Sequence, residues 1–245
     1  MRKGKLIAIS LILFCVLFFA AVVIYLLIVT TDSGEPGGHT RKMAILQVAG
    51  LNPADNDNDK LYHDRIVSRT VNLDSGQWAG EEQQKTCTML PDVEKPEDVK
   101  KHCDSVEIYL VRDEQGQFQQ VVLPINGKGA KSMMRAFIAL EADGRTVKQI
   151  LYYNQHETPM LGAKVEDEQW REQWVGKKVR DDKGHPALKV VIENADHNNE
   201  YTVEGITGAT LTSTSVERSV NFWMGDRGYG HFLQRLHDDK NAILQ

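Results

Sequence analysis

Between residues 105 and 154 apolar side chains recur at about every second position, the period of a half-buried strand. Residues 106–111 (Val-Glu-Ile-Tyr-Leu-Val) are the first such run, 118–125 the second, 134–141 the third and 146–154 the fourth. Asp113-Glu-Gln-Gly116 predicts a turn between the first two, and Pro124 with Gly127 is expected to end the second. Asp143-Gly144 is a hairpin signal between the third and fourth, because both residue types tolerate the positive φ of tight turns. The period then lengthens. Trp170 and Trp174 stand four apart within 167–175 and share one helical face. Residues 188–193 predict one more strand. Val216, Val220, Phe222 and Trp223 fall at helical spacing, so a helix opens near residue 210. Arg227-Gly-Tyr-Gly230 should end it, and 229–236 adds a last short helix. Upstream, 39–51 reads as helical on Met43, Leu46 and Leu51. Residues 54–60 are a solvated Asp/Asn tract, 62–73 a short strand or helix, and 74–103 polar and irregular. The expected fold class is α+β, an antiparallel sheet with helices packed on it.

One stretch breaks both periods. Residues 6–29 carry no charge. At about 1.5 Å per residue they reach roughly 36 Å, enough to cross a bilayer with some tilt. A cleavable signal peptide would have a shorter apolar core and a small-x-small site, for which Ile28-Val29-Thr30-Thr31 is a poor match. The expectation is a single uncleaved N-terminal transmembrane helix, with Arg2, Lys3 and Lys5 on the cytoplasmic side. The rest would face the periplasm of a cell with an inner membrane. The chain then divides into a tip and anchor (1–30), a linker with a helical and irregular part (31–104), and a folded domain (105–245). The glycine-rich residues 31–38 open the linker.

Charge narrows the partners. Of 29 Lys and Arg, three precede the apolar run; the remaining 26 face 34 Asp and Glu, a net charge near −8. That argues against nucleic acid and against an anionic lipid surface. Cys15 lies in the apolar run, whereas Cys87 and Cys103 lie where a disulfide survives export, and the residues leave open whether they pair. No Cys-x-x-Cys motif is present. His156 has no second histidine or carboxylate at metal spacing, and no Ser/His/Asp or Cys/His set points to hydrolysis. No metal ligands and no complete active site are assigned.

Candidate chemistry concentrates at Thr207-Gly208-Ala209-Thr210, where a glycine turn opens the amphipathic helix. Free backbone N–H groups and the positive end of the helix dipole make such a turn a phosphate site. Hydroxyls follow at Thr210, Thr212, Ser213, Thr214 and Ser215. A threonine hydroxyl there can bind a phosphate or hold it covalently; the plain alternative is that Thr210 or Thr212 is an N-cap.

The stretch resembles the flavinylation motif Asp-x-x-Ser/Thr-Gly-Ala-Thr, whose last threonine carries FMN by a phosphoester. The resemblance makes Thr210 the acceptor, with Thr207, Gly208 and Ala209 before it and Leu211 and Thr212 after it; Glu204 stands where the family has aspartate. Further blocks carry the likeness: Ile45-Leu-Gln-Val-Ala-Gly50, Leu123-Pro-Ile-Asn-Gly-Lys-Gly129, Glu157-Thr-Pro-Met-Leu-Gly162, residues 170–178 and 222–232. Together they resemble the C subunits of the sodium-translocating NADH:quinone oxidoreductases, a family of FMN-binding domains. The G subunit of ferredoxin:NAD electron-transport complexes shares the Glu-Thr-Pro and Gly-Ala-Thr blocks.

The resemblance implies a flavin relay, one covalent FMN per chain, in a complex that moves electrons from NADH to ubiquinone and pumps sodium. Partners would be the A, B, D, E and F subunits and a flavin transferase. It further implies that Glu157, Thr158, Leu161, Gly129 and Lys131 lie against the flavin. The chain departs from the family around the ring: Ala130 and Lys131 replace a Leu-Trp pair, Arg135 replaces an aromatic, and Met160, Ala163 and Lys164 replace Gly, Gly and Glu. Cations beside the ring favour its charged reduced form, so Lys131, Arg135 or Lys164 there would raise its potential; the alternative is that they point to solvent. Two other readings remain: a flavin-free paralogue with a structural or assembly role, and the G-type subunit. A stand-alone reductase would need an acid and base that the sequence does not offer.

Overall fold

The computed structural model describes residues 38–51, 57–80, 87–89 and 101–239. The expected membrane span at 6–29 and the linker at 31–37 lie outside the described residues, as do parts of the 54–60 and 74–103 tracts. Among the described residues no helix is long and apolar enough to cross a membrane. Two compact units are distinguished, 1–39 and 40–245. The second carries the sheets and the helices packed on them.

In chain order the elements are α1 (Gly38–Val48), α2 (Asn58–Arg65), β1 (Ile66–Asn72), β2 (Cys87–Met89), β3 (Lys101–Cys103), β4 (Ser105–Arg112), β5 (Phe118–Lys128), β6 (Met133–Glu141) and β7 (Val147–Asn154). After a 3-10 turn (Gly162–Glu166) come α3 (Glu168–Glu172), β8 (Lys189–Val191), β9 (Thr202–Glu204), α4 (Thr210–Met224) and α5 (Gly230–Asp238). The main sheet has five antiparallel strands in the order β1-β4-β5-β6-β7. The α+β class expected from the alternation is what forms.

Strand alternation divides the core into two layers. Ile108, Leu110, Val121, Leu123, Ile138 and Ile150 face the side covered by α4 and α5. Tyr109, Val111, Val122, Phe137 and Leu151 face the other, where Ile45, Leu46 and Val48 of α1 cover them. The C-terminal end of α1 is tied to the sheet by Gln120, whose Nε2 donates to the Ala49 carbonyl at 2.8 Å. Burial on both faces explains why these strands hold fewer polar positions than a one-sided sheet.

Several sequence expectations change. The tract 62–73, expected as a strand or a helix, is both: α2 ends at Arg65 and β1 starts at Ile66. β1 pairs with β4 from Ile66↔Val111 to Asn72↔Ser105. The sheet therefore starts well before the boundary expected at 105, because a short polar edge strand carries little alternation. The irregular 74–103 tract contains the β2–β3 pair, with Cys87 opposite Cys103, and Cys103 is disulfide-bonded.

β5 runs through Pro124 to Lys128 rather than ending near Ile125. Its register with β4 stops at Val122, so the proline interrupts no β4 ladder there. Pro124 stays in register with β6, opposite Phe137, and its carbonyl accepts the Tyr229 hydroxyl at 2.6 Å. The helix expected at 167–175 is regular only over Glu168–Glu172, although Trp170 and Trp174 still share a face and meet edge-on at 5.5 Å. The strand expected at 188–193 stays out of the main sheet and pairs in parallel with β9.

Candidate functional site

The glycine turn is built as a β-turn closed by the Ala209 N–H donating to the Ile206 carbonyl at 2.9 Å. Gly208 takes φ +78°, which the third position of such a turn requires and which costs glycine least. The Ile206 N–H donates to Ser213 Oγ at 2.9 Å, folding the turn back onto the first turn of α4. α4 is then fixed along its length. Val190 N–H donates to Glu217 Oε2 (2.7 Å), Asn221 Nδ2 to the Leu188 carbonyl (2.9 Å), and Trp223 Nε1 to the Asn126 carbonyl (2.8 Å). Trp170 Nε1 donates to the Glu204 carbonyl at 2.9 Å, holding the strand that delivers the turn.

The N-cap of α4 is Ala209, and among the described residues no side-chain cap bond is made there. Neither Thr210 nor Thr212 is therefore an N-cap, so the plain alternative for the hydroxyl row falls. The hydroxyls are sorted by burial. Thr212, Ser213 and Ser215 are buried, Thr214 is half-buried, and Thr210 on the first helical turn is exposed, as is Thr207 in the preceding turn. Thr212 donates to Glu157 and Ser213 accepts from Ile206.

Glu157 is only 4% exposed. Its Oε1 accepts from Lys131 N (3.0 Å), Ser132 N (2.8 Å) and Ser132 Oγ (3.0 Å). Its Oε2 accepts from Ala130 N (3.0 Å) and Thr212 Oγ1 (2.8 Å). Burial pushes the carboxyl pKa up, but the hydrogen bonds from Ser132, Thr212 and Lys131 outweigh it, and it lies below the ordinary 4.5. The site therefore holds a charged carboxylate. Glu157 is thus buried and bonded to the chain rather than solvated. Both of its carboxylate oxygens are engaged by the chain itself. Gly129 and Gly162 make room for this group: a Cβ on Gly129 would lie 2.6 Å from Oε1, and one on Gly162 would lie 2.6 Å from Thr212 Oγ1.

Thr158 and Lys131 are exposed, and Leu161 is partly so. Among the described residues the large apolar side chains left exposed are Met160, Leu161, Leu211 and Val175. Leu211 follows Thr210, and a Cβ on Gly208 would lie 3.1 Å from Leu161 Cδ2. Met160 adjoins Leu161 and holds φ +62°, unusual for a non-glycine residue. Arg135 and Lys164 are half-buried. The site thus joins an uncapped helix start and an exposed hydroxyl to a shelf of exposed apolar side chains. Free N–H groups suit a phosphate, and apolar faces suit a flat ring, so these residues fit a phosphorylated flavin. The glutamate nest was not legible in the sequence, because Gly129, which makes room for the carboxylate, lies 28 residues before Glu157 and is brought to it only by the fold.

Residues 129–225 match the FMN-binding domain family. The chain is 38% identical over 210 residues to the Na(+)-translocating NADH-quinone reductase C subunit of Vibrio alginolyticus, covering 81% of each chain. It is 39% identical over 209 residues to that of Yersinia pestis, covering 79% of this chain and 78% of the relative. The chain belongs to the C-subunit family of Na(+)-translocating NADH-quinone reductases. The crystal structure of Shewanella oneidensis NqrC superposes with a TM-score of 0.73 at 27% identity, over 81% of this chain and 96% of that one. The C subunit of Parabacteroides distasonis, at 19% identity and a TM-score of 0.60, shares the fold. Within this family the matched domain begins at Gly129 of the glutamate nest and ends at Gly225, just past α4.

Proposed function

We propose that this chain is the flavin-carrying electron-transfer subunit of a sodium-translocating NADH:ubiquinone reductase, with FMN joined through its phosphate to Thr210 Oγ1. The observation that carries this reading is the accessibility of one hydroxyl. From 210 to 215 only Thr210 has an exposed hydroxyl-bearing side chain, and it stands at a helix start that no side chain caps. When bound, the flavin supplies electron transfer through its ring. The chain supplies the anchor. The N–H groups of Thr210, Leu211 and Thr212 and the helix dipole favour the phosphate charge. Thr207, Gly208 and Ala209 keep the turn tight beside it. Leu161, Leu211 and Met160 offer apolar surface to the ring, and Thr158 and the Gly129–Lys131 loop border it. No proton donor in this chain is required.

The family relation and the uncharged 6–29 run support a single-pass subunit of the inner membrane, with its N-terminus cytoplasmic and its domain periplasmic. There it would work beside the A, B, D, E and F subunits after maturation by a flavin transferase.

The test is to co-express the full chain with a flavin transferase and view the denatured gel under ultraviolet light. A fluorescent band that disappears in Thr210→Ala, with an intact mass raised by one FMN less one water, is the expected result. A dark band from the native chain would overturn the reading in favour of a flavin-free assembly subunit.

A further inference from the structure

Glu157 and Thr212 are 55 residues apart in sequence, yet one hydrogen bond joins them. The other four donors to the same carboxylate come from three consecutive residues, Ala130, Lys131 and Ser132. A carboxylate offers about four lone-pair sites, so five donors leave none for a ligand. Gly129 and Gly162 close the space around it, since any Cβ there would collide with the carboxylate or the Thr212 hydroxyl. The loop between β5 and β6 and the third residue of α4 are thus fastened to one charged side chain. Successive backbone N–H groups around an anion form a nest, and here the anion belongs to the protein.

We infer that Glu157 is a positioning residue, which clamps the 129–132 loop onto the first turn of α4 and so fixes the direction of the Thr210 hydroxyl and the apolar shelf beside it. The inference rests on the attachment reading for its consequence, but its geometry is independent of it. Without the clamp, Ala130, Lys131 and Ser132 lose their acceptor and Thr212 turns freely. Thr210, two residues earlier on the same turn, loses its orientation. Misplacing a reacting group by about 1 Å can cost a hundredfold in rate.

The test compares the full chain with Glu157→Gln and Thr212→Val. The glutamine keeps the shape but cannot accept at both ends, and the valine removes only the helix-side bond. The measured quantities are the rate of flavin attachment by the transferase, its apparent affinity for the chain, and the anisotropy decay of the attached flavin. The expected result in both variants is a rate about tenfold to a hundredfold lower at unchanged affinity, with a faster anisotropy decay. A role confined to stability would leave rate and anisotropy alone in whichever variant melts as the native chain does. Native rate and native anisotropy in Thr212→Val would overturn the inference, including where Glu157→Gln does not fold. If the native chain takes up no flavin, the attachment reading fails by itself. The clamp is then judged by amide exchange at Lys131 and Ser132, which should quicken in Thr212→Val and would refute it by staying unchanged.

Discussion

Leu161 packs against Gly208 so closely that a Cβ on the glycine would stand 3.1 Å from Leu161 Cδ2. The contact brings the segment after Glu157 against the turn that opens α4, and Gly208 also holds φ +78°. Gly208→Ala therefore meets strain and crowding together. It should destabilise the domain by about 1–2 kcal/mol, read by urea denaturation, and reduce flavin attachment on the gel. An alanine variant as stable as the native chain would mean the turn has another conformation open to it.

Met160 is the reverse case. It holds φ +62° with its side chain 78% exposed, so the left-handed backbone carries a cost that no packing returns. Met160→Gly should stabilise the fold by roughly 0.5–1 kcal/mol, after the extra chain entropy of glycine is counted. The melting temperature should rise by about 2–4 °C per kcal/mol in a domain of this size. A fall would show that the methionine makes a stabilising contact.

Trp223 anchors the far end of the same helix through its bond to the Asn126 carbonyl. Trp223→Phe removes the donor and leaves that carbonyl without it, at a cost of about 1–3 kcal/mol. Thr210→Ala should lie within about 0.5 kcal/mol of the native chain, because its side chain is exposed and caps nothing. Equal losses in the two variants, measured by urea denaturation, would mean that Thr210 holds the fold together as Trp223 does.

Acid should weaken the fold through two carboxylates. Glu157 lies below its ordinary 4.5: burial raises it, but hydrogen bonds from Ser132, Thr212 and Lys131 outweigh that. Asp143 lies below its ordinary 3.8: burial raises it, but the Thr146 hydroxyl and the backbone N–H groups of Thr146 and Arg145 outweigh that. A carboxylate depressed on folding contributes stability that is present above its unfolded pKa and lost as pH falls through the folded one. Unfolding free energy should be level above about pH 5 and decline below it. In Glu157→Gln the decline should be shallower, and an identical slope would remove Glu157 from the explanation.

Lys131 carries a prediction about the bound flavin. Its amide is fixed in the glutamate nest while its side chain is exposed. If the ammonium lies by the ring it favours the charged reduced form, so Lys131→Ala should lower the midpoint potential in a reductive titration. A one-electron shift of about 59 mV is a tenfold change in equilibrium. No measurable shift would mean that the ammonium is solvated away from the ring.

Periodicity located the four long strands because β4 to β7 bury alternate residues on two distinct layers. It left 62–73 open between strand and helix, because β1 is an edge strand with exposed residues, and it ended β5 too early, because Pro124 looks like a stop although the β6 ladder runs through it. The Thr-Gly-Ala-Thr turn was legible because a left-handed glycine before a helix is a local matter. Which hydroxyl of the row remained accessible was not.

The sequence by itself determined the α+β class, the turn that starts α4 and the family, since each depends on residues near one another along the chain. Only the tertiary structure decided that Thr212 and Ser213 are occupied while Thr210 is exposed, and that Glu157 serves the chain's own amides. Those outcomes depend on donors brought together from residues 130–132, 157 and 212. Hydrogen bonding and desolvation act through space, so no local pattern records them.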